Sequence, residues 1–172
     1  MSDFPKPVLG LAAFSGTGKT TLLKRLLPIL TGDGLRVALI KRTHHDFEID
    51  RPGKDSHRLR QAGACQMMIA SARRWAVITE HPEPQEWSLA DLLPQLDASR
   101  LDLVLVEGAR YEAFPKLELH RPSLGHPLLF PKDPHIIAIA SDVPLDMSCP
   151  LPRLALGQPG EIAAFIRRYL GL

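Results

Sequence analysis

The sequence predicts an α/β fold: a mostly parallel sheet with helices on both faces, extended by β-hairpins. Three observations support this prediction. Short apolar runs of strand length alternate with amphipathic helical segments, as in proteins with a parallel sheet. The first apolar run leads directly into a glycine-rich turn that is followed by a helical pattern. The length of 172 residues and the hydrophobic content of 45% suffice for a single domain, residues 1–172, with a buried core.

Hydrophobic periodicity predicts the first elements. Residues 8–14 form an apolar run that is typical of a strand buried in a parallel sheet. After the glycine-rich turn, leucines recur at helical spacing as far as residue 30, and the glycines at positions 32 and 34 can end that helix. Pro28 lies inside the helix and is expected to kink it or distort its last turn. Residues 35–41 have the pattern of a second strand.

A polar segment without periodicity covers residues 42–54. Asp55 is expected to cap a short helix over residues 56–61. Two short runs, residues 66–71 and 75–80, flank a basic turn and predict a β-hairpin.

The second half of the chain continues the alternation. Leucines at helical spacing predict a helix over residues 88–96, and apolar runs predict strands over residues 101–106 and 136–140. Residues 116–120 also have a strand pattern, and an apolar stripe predicts a closing helix over residues 160–170.

Charge and cysteine content narrow the function classes. Twenty-one basic and nineteen acidic residues give a formal charge of +2, which does not indicate a nucleic-acid partner. No apolar run has the length of a membrane span, and the first residues lack a signal-peptide pattern, so we expect no membrane partner. Cys65 and Cys149 are expected to be free thiols in a reducing compartment. These features predict a soluble, cytoplasmic protein.

The glycine-rich turn predicts a phosphate site. Its sequence AFSGTGKT, residues 13–20, matches GxxxxGK[ST] at every fixed position except the first, where Ala13 replaces glycine. Glycines let successive N–H groups point at one anion, and the following helix adds its positive dipole end. We therefore predict a P-loop NTPase-like fold that binds a purine triphosphate with Mg²⁺. Lys19 is expected to bridge the β- and γ-phosphates during catalysis, and Thr20 to bind the metal. The predicted nucleotide-binding residues of the loop are Ser15, Gly16, Thr17, Gly18, Lys19, Thr20 and Thr21.

Mg²⁺ beside phosphates usually takes a carboxylate as well. Two candidates follow predicted strands, Glu107 and Asp46. We prefer Glu107, because it ends a nearly pure apolar strand, where a carboxylate is costly without a partner. A structural hydrogen-bond acceptor is the alternative role. Asp102, early in the same strand, is expected to cap or to face solvent.

A dense polar segment follows the second strand, with THHD at residues 43–46 and DRPGKDS at residues 50–56. In the usual topology this position lies beside the γ-phosphate. Asp46 is therefore a candidate catalytic residue that positions a water or binds Mg²⁺ indirectly. His44 and His45 are adjacent, and in an extended chain they point opposite ways, which argues against joint metal binding. A solvated switch-like loop is the alternative.

The base is less well specified. The sequence contains no asparagine, so the NKxD guanine signature is absent. Asp142, just after the apolar run at residues 136–140, is a candidate base reader, because its carboxylate can accept from the N1–H and the amino group of guanine. A turn cap is the alternative role for this aspartate. The residues alone leave the identity of the base open.

Five segments occur in this order: AFSGTGKTTLLKRL, KRTHHD, DRPGKDS, LDLVLVEG and ASDVPL. Together they resemble the MobB family of molybdopterin-guanine dinucleotide biosynthesis proteins, from residue 8 to about residue 145. The resemblance implies a GTP-binding protein with weak GTPase activity, accessory to the guanylyltransferase that attaches GMP to molybdopterin. It implies a homodimer that the hairpins help to join. The family's phosphate loop and acidic strand end correspond to Gly16, Gly18, Lys19, Thr20 and Glu107.

Two other readings remain open at this point. A small-molecule kinase would need arginines over the phosphates, and Arg73 with Arg74 is the pair placed to serve. A binding protein without catalysis would carry GTP, molybdopterin or its guanine dinucleotide to a partner. For the GTPase, we predict slow turnover because no arginine finger stands in an obvious place. Arg51 and Arg110 are the candidates within the chain.

Overall fold

The computed structural model describes residues 4–43, 47–145 and 149–172. Its contacts divide the chain into two compact units. The sheet unit consists of Met1–Arg42 and Ser88–Leu172, and the hairpin unit consists of Thr43–Trp87. Each unit is described by itself.

The helices and strands follow the predicted alternation. The strands are β1 (Val8–Ala12), β2 (Val37–Lys41), β3 (Gln66–Ala70), β4 (Trp75–Thr79), β5 (Leu103–Glu107), β6 (Lys116–His120), β7 (Ile136–Ser141) and β8 (Arg153–Ala155). The α-helices are α1 (Lys19–Gly32), α2 (Asp55–Gln61), α3 (Leu89–Leu92) and α4 (Pro159–Leu170). Short 3-10 turns cover Leu93–Gln95, Ala98–Arg100, Pro122–Leu124 and Phe130–Lys132.

The sheet unit contains a six-stranded sheet in the order β2-β5-β1-β6-β7-β8. Every neighbouring pair is parallel. The predicted parallel α/β sheet is therefore confirmed. Parallel strands all end at the same edge, so the loops that follow them meet there.

Helices cover both faces of the sheet, as predicted. Leu103 and Leu105 of β5 pack into the larger core cluster with α1 and α4. Val104 and Val106 of the same strand pack on the other face, where α3 and the turn that follows it supply the cover. This alternation follows from the two-residue period of a strand. Because both faces are buried, β5 is apolar at every position before its last residue, Glu107.

The predicted helix over residues 88–96 is shorter in the structure. Its α-helical part is Leu89–Leu92, and the chain continues as the 3-10 turn Leu93–Gln95. Pro94 explains the change, because it has no N–H to donate to the carbonyl four residues earlier. Asp55 is the first residue of α2 and not its cap, since the cap position is Lys54. The helix α1 runs through Pro28 to Gly32 without interruption.

Asp102 has a different role from the one predicted. It lies just before β5, and it accepts hydrogen bonds from the backbone N of Arg36 at 2.9 Å and from its Nε and Nη2 at 2.9 and 2.8 Å. These bonds hold the pKa of the Asp102 carboxyl far below its usual range. The pair ties the start of β5 to the start of β2.

The hairpin unit contains the predicted hairpin. β3 and β4 pair antiparallel, from Gln66 opposite Thr79 to Ala70 opposite Trp75. In the same unit, the largely buried Arg60 forms ion pairs with Glu48 and Glu80. Within the described part of the chain, none of the helices has both the length and the apolar character that crossing a membrane requires.

Candidate functional site

The phosphate loop joins β1 to α1 and is held by its own residues. Gly16 and Gly18 have φ values of 78° and 104°, which side chains rarely allow. The Thr17 hydroxyl is buried and donates to the Phe14 carbonyl at 2.9 Å. Lys19 folds back over the loop, and its Nζ donates to the carbonyls of Phe14 at 3.1 Å and Ala13 at 3.4 Å. Hydrogen bonds within the loop and the two positive φ values therefore give it a curled backbone.

The other predicted residues of the loop have side chains open to ligand. Ser15 is exposed, and so are Thr20 and Thr21 in the first turn of α1. A helix of 14 residues begins at Lys19, so its positive dipole end faces the loop. The loop thus brings a lysine and three exposed hydroxyl side chains to the positive end of α1.

Lys19 lies among other charges. Burial lowers the pKa of its ammonium, Arg110 and Lys41 lower it further, and Glu107 opposes them. Among the described residues, this ammonium, two other cations and the Glu107 carboxylate together form a positive region. Such a region at the start of a helix suits a polyanion such as a triphosphate.

Glu107 stands at the same edge of the sheet as the loop. It is the last residue of β5, in register with Leu11 of β1 and Lys41 of β2. Its side chain is largely buried. The chain turns sharply after it: Gly108 has φ 93°, and a Cβ there would lie 2.4 Å from the Arg42 carbonyl oxygen. The parallel register therefore places this carboxylate beside the phosphate loop.

Asp142 follows β7, at the start of the turn that leaves this strand. The N–H of Val143 donates to the Ser141 hydroxyl at 3.4 Å. Oδ2 of Asp142 accepts from Nη1 of Arg121 at 2.6 Å. Nε of Arg121 also donates to the carbonyl of Thr17 at 2.8 Å. The structure thus brings Asp142 into contact with the phosphate loop through an arginine.

Sequence reasoning missed Arg121. It directly follows β6, which neighbours β1 in the sheet. The signal that could have found it is its position, because the residue after each parallel strand lies at the edge that carries the phosphate loop.

A cleft of about 340 Å³ lies beside Asp142. It is formed by the ends of β7 and β8 and by the residues that follow β7. Val143 and Leu154 contribute apolar walls, and Asp142 and Arg153 contribute polar groups. Apolar walls with a few polar groups are typical of small-molecule sites.

The loop after β5 also reaches the site. The guanidinium of Arg110 lies 4.6 Å from the ring centroid of Phe14, whose other neighbour is the stacked ring of His126 at 4.3 Å. Lys116, which is 1% exposed, is the buried residue that binds the backbone of this loop. Its Nζ donates to the carbonyls of Arg110 and Glu112 at 2.9 and 2.6 Å and pairs with Asp133 at 2.6 Å.

His120 ends β6 and is largely buried. Burial lowers the pKa of its imidazole, and His126 lowers it further, whereas Asp142 raises it. The ring is therefore neutral near pH 7.

Several predicted residues fall outside the described part of the sheet unit. Asp46, His44 and His45 lie outside the described residues. Arg51, Arg73 and Arg74 belong to the hairpin unit. Within the described residues, no group of three or more His, Cys, Asp or Glu side chains could hold a metal ion.

Comparisons with known proteins agree with this architecture. The family model described as MobB, molybdopterin guanine dinucleotide synthesis protein B, matches residues 8–142. The molybdopterin-guanine dinucleotide biosynthesis adapter protein of Escherichia coli K12 is 52% identical over 165 residues, which cover 95% of this chain and 93% of the relative. The adapter protein of Haemophilus influenzae is 42% identical over 165 residues, covering 95% and 89%.

Solved structures agree as well. A crystal structure of molybdopterin-guanine biosynthesis protein B superimposes with a TM-score of 0.73 at 28% identity, covering 95% of this chain and 99% of that one. A crystal structure of Bacillus subtilis MobB has a TM-score of 0.75 at 24% identity, covering 95% and 98%, and bears on the fold alone.

Proposed function

Because the chain belongs to the molybdopterin guanine dinucleotide synthesis protein B family, we propose that it is a cytoplasmic GTP-binding adapter with weak, Mg²⁺-dependent GTPase activity. In this proposal it acts beside the guanylyltransferase that attaches GMP to molybdopterin. The observation that carries the proposal is the curled phosphate loop with Lys19 folded over it. The relatives named adapter proteins support the accessory role.

Different groups of the loop would bind different phosphates of the triphosphate. The backbone N–H groups of residues 15–19 would surround the β-phosphate, since Gly16 and Gly18 let them converge. Lys19 would exchange its two carbonyl partners for β- and γ-phosphate oxygens. Thr21 is the proposed contact to the α-phosphate. Bound Mg²⁺ would neutralise charge on the β- and γ-phosphates, held by the Thr20 hydroxyl and, through water, by Glu107.

Guanine recognition is assigned to Asp142 and the neighbouring cleft. The carboxylate offers acceptors to the N1–H and the 2-amino group of guanine, and adenine has an unprotonated N1 at the corresponding position. The cleft of about 340 Å³ has apolar walls for the flat base. GTP is therefore proposed as the ligand over ATP.

Turnover is proposed to be slow because the nearby arginines already have partners. Arg110 stacks on Phe14 and donates to the hydroxyl of Tyr111, and Arg121 is bound to Thr17 and Asp142. Neither is free to stabilise charge on the transferred phosphate without giving up these contacts. In the proposed reaction, the positive charge of Lys19 stabilises the negative charge on the transferred phosphate. Asp46, outside the described residues, remains the proposed residue for positioning the attacking water.

The hairpin unit is proposed as the contact surface of a homodimer. Met68 and Trp75 of the hairpin are 65% and 66% exposed, and Ile69 and Val77 are also exposed. Apolar side chains grouped on a short hairpin are typical of a surface that a partner covers. The guanylyltransferase is the proposed second partner, and binding of molybdopterin or its guanine dinucleotide to this chain remains part of the same hypothesis.

A reconstituted reaction tests the proposal. Guanylyltransferase, molybdopterin and a limiting concentration of GTP would be combined with the wild type, with Lys19→Ala or with Glu107→Gln. We expect the wild type to increase the yield of guanine dinucleotide and both variants to lose most of that increase, because each removes a group from the triphosphate–Mg²⁺ site. Lys24→Ala, an exposed lysine of α1, is the control. Equal stimulation by all four proteins would reject a nucleotide-dependent adapter.

A further inference from the structure

Arg121 joins the ends of three neighbouring strands. It follows β6, which lies between β1 and β7 in the sheet. Its Nε reaches the loop after β1 at the Thr17 carbonyl, and its Nη1 reaches the residue after β7, Asp142. The two bonds measure 2.8 and 2.6 Å. One side chain therefore connects the phosphate loop with the carboxylate assigned to the base.

The guanidinium is planar, so two bonds from it fix the mutual orientation of their acceptors. The ion pair is only partly buried, with side-chain exposures of 36% for Arg121 and 27% for Asp142. A pair that water reaches contributes little to the free energy of unfolding. Its main effect is therefore geometric, namely to fix where the carboxylate points.

Asp142 keeps an acceptor atom for a ligand. Arg121 occupies Oδ2, and within the described residues Oδ1 has no hydrogen-bond donor assigned to it. The same residue lines the cleft of about 340 Å³. Because Arg121 fixes Oδ2, the Oδ1 atom of Asp142 can point at a ligand in a constant direction.

We propose that Arg121 is a positioning residue for base specificity: it holds the Asp142 carboxylate in the orientation that accepts from guanine, and through Thr17 it couples that orientation to the shape of the phosphate loop. The inference rests on the proposed GTP-binding function. A competing role, in which Arg121 only adds positive charge near the phosphates, would affect all nucleoside triphosphates equally.

Inosine triphosphate separates the two roles. It has the phosphates, ribose, N1–H and 6-oxo group of GTP, but it lacks the 2-amino group. The ratio of the dissociation constants for ITP and GTP therefore reports the contact between the 2-amino group and the carboxylate, and the contacts to the phosphates cancel from it. A charge-assisted hydrogen bond to that amino group corresponds to a ratio of about 10 or more.

The experiment measures GTP and ITP binding with Mg²⁺ by calorimetry. We expect a ratio of about 10 or more in the wild type and a fall to about 2 in Arg121→Gln. Arg121→Lys keeps the charge but lacks the planar pair of donors, so it should recover triphosphate affinity without recovering the ratio. Arg168→Gln, an exposed arginine of α4, is the control and should keep the wild-type ratio. Thermal melting of each variant checks that it is folded.

An unchanged ratio in folded Arg121→Gln or Arg121→Lys would overturn the inference, even if both affinities fell, because Arg121 would then act through charge alone. In that case GTP binding by the wild type would leave the proposed function standing. A wild type that binds no nucleotide would overturn both, whereas one that binds GTP without preferring it over ITP would overturn the inference alone. In Asp142→Asn the ratio should already be low, and adding Arg121→Gln should lower it no further.

Discussion

Replacing Lys116 with methionine tests how the loop after the Glu107 strand end is held. Lys116 is 1% exposed, and its ammonium has three partners: the carbonyls of Arg110 and Glu112 and the carboxylate of Asp133. Methionine fills a similar volume but leaves all three acceptors without this donor. Breaking a buried ion pair costs about 3–5 kcal/mol. Asp133 is 20% exposed and also accepts from the His135 N–H, so water and this bond offset part of the loss.

We therefore expect Lys116→Met to lower the free energy of unfolding by about 3 kcal/mol, the lower end of that range. In a chain of this size such a loss lowers the melting temperature by about 6–12 °C. Urea denaturation measures it. Lys132→Met, an exposed lysine in the neighbouring turn, is the control and should change stability by less than about 0.5 kcal/mol.

The double variant Lys116→Met/Asp133→Asn completes the test. It removes both charges, so it should be more stable than the sum of the two single effects predicts. A loss below about 1 kcal/mol for Lys116→Met, or strict additivity in the double variant, would refute the assignment of a coupled buried pair.

Two further predictions concern the same edge of the sheet. Gly108→Ala should lower the free energy of unfolding by at least about 2 kcal/mol, because the positive φ of Gly108 and the nearby Arg42 carbonyl leave no room for a Cβ. Gly32→Ala is the control, since Gly32 lies in α1 with open space around it, and it should be neutral or slightly stabilising. Urea denaturation compares the two variants, and equal effects would refute this explanation. His120 has a lowered pKa, so the folded state favours the neutral ring, and stability should fall as the pH drops below about 6.5. Melting temperatures measured across that range should fall less steeply for His120→Gln than for the wild type, and identical slopes would contradict the assignment.

Local patterns were enough to predict the phosphate loop and the main strands. The loop is a run of consecutive residues whose glycines, lysine and threonines are specified by the sequence itself. The strand ending at Glu107 is a continuous apolar run because both of its faces are buried. A structural element specified by consecutive residues can therefore be predicted from the sequence.

The contacts that complete the site depend on the pairing order of the strands. Arg121 and Thr17 are 104 positions apart and meet only because β6 lies next to β1. Lys116 could not be recognised as a buried support for the same reason. β8 spans only Arg153–Ala155, which is too short for periodicity to detect. The early end of α3 was predictable, since Pro94 is visible in the sequence.

The most direct test of the proposed function is calorimetric titration of the protein with GTP and with ATP, each with Mg²⁺, for the wild type, Lys19→Ala and Lys24→Ala. We expect the wild type and Lys24→Ala to prefer GTP by about tenfold or more. Lys19→Ala should lose about 10- to 100-fold in GTP affinity, because charge-assisted bonds to the phosphates disappear. Equal binding of GTP and ATP would contradict guanine recognition by Asp142. GTP binding by Lys19→Ala as tight as that of the wild type would contradict the phosphate loop as the site.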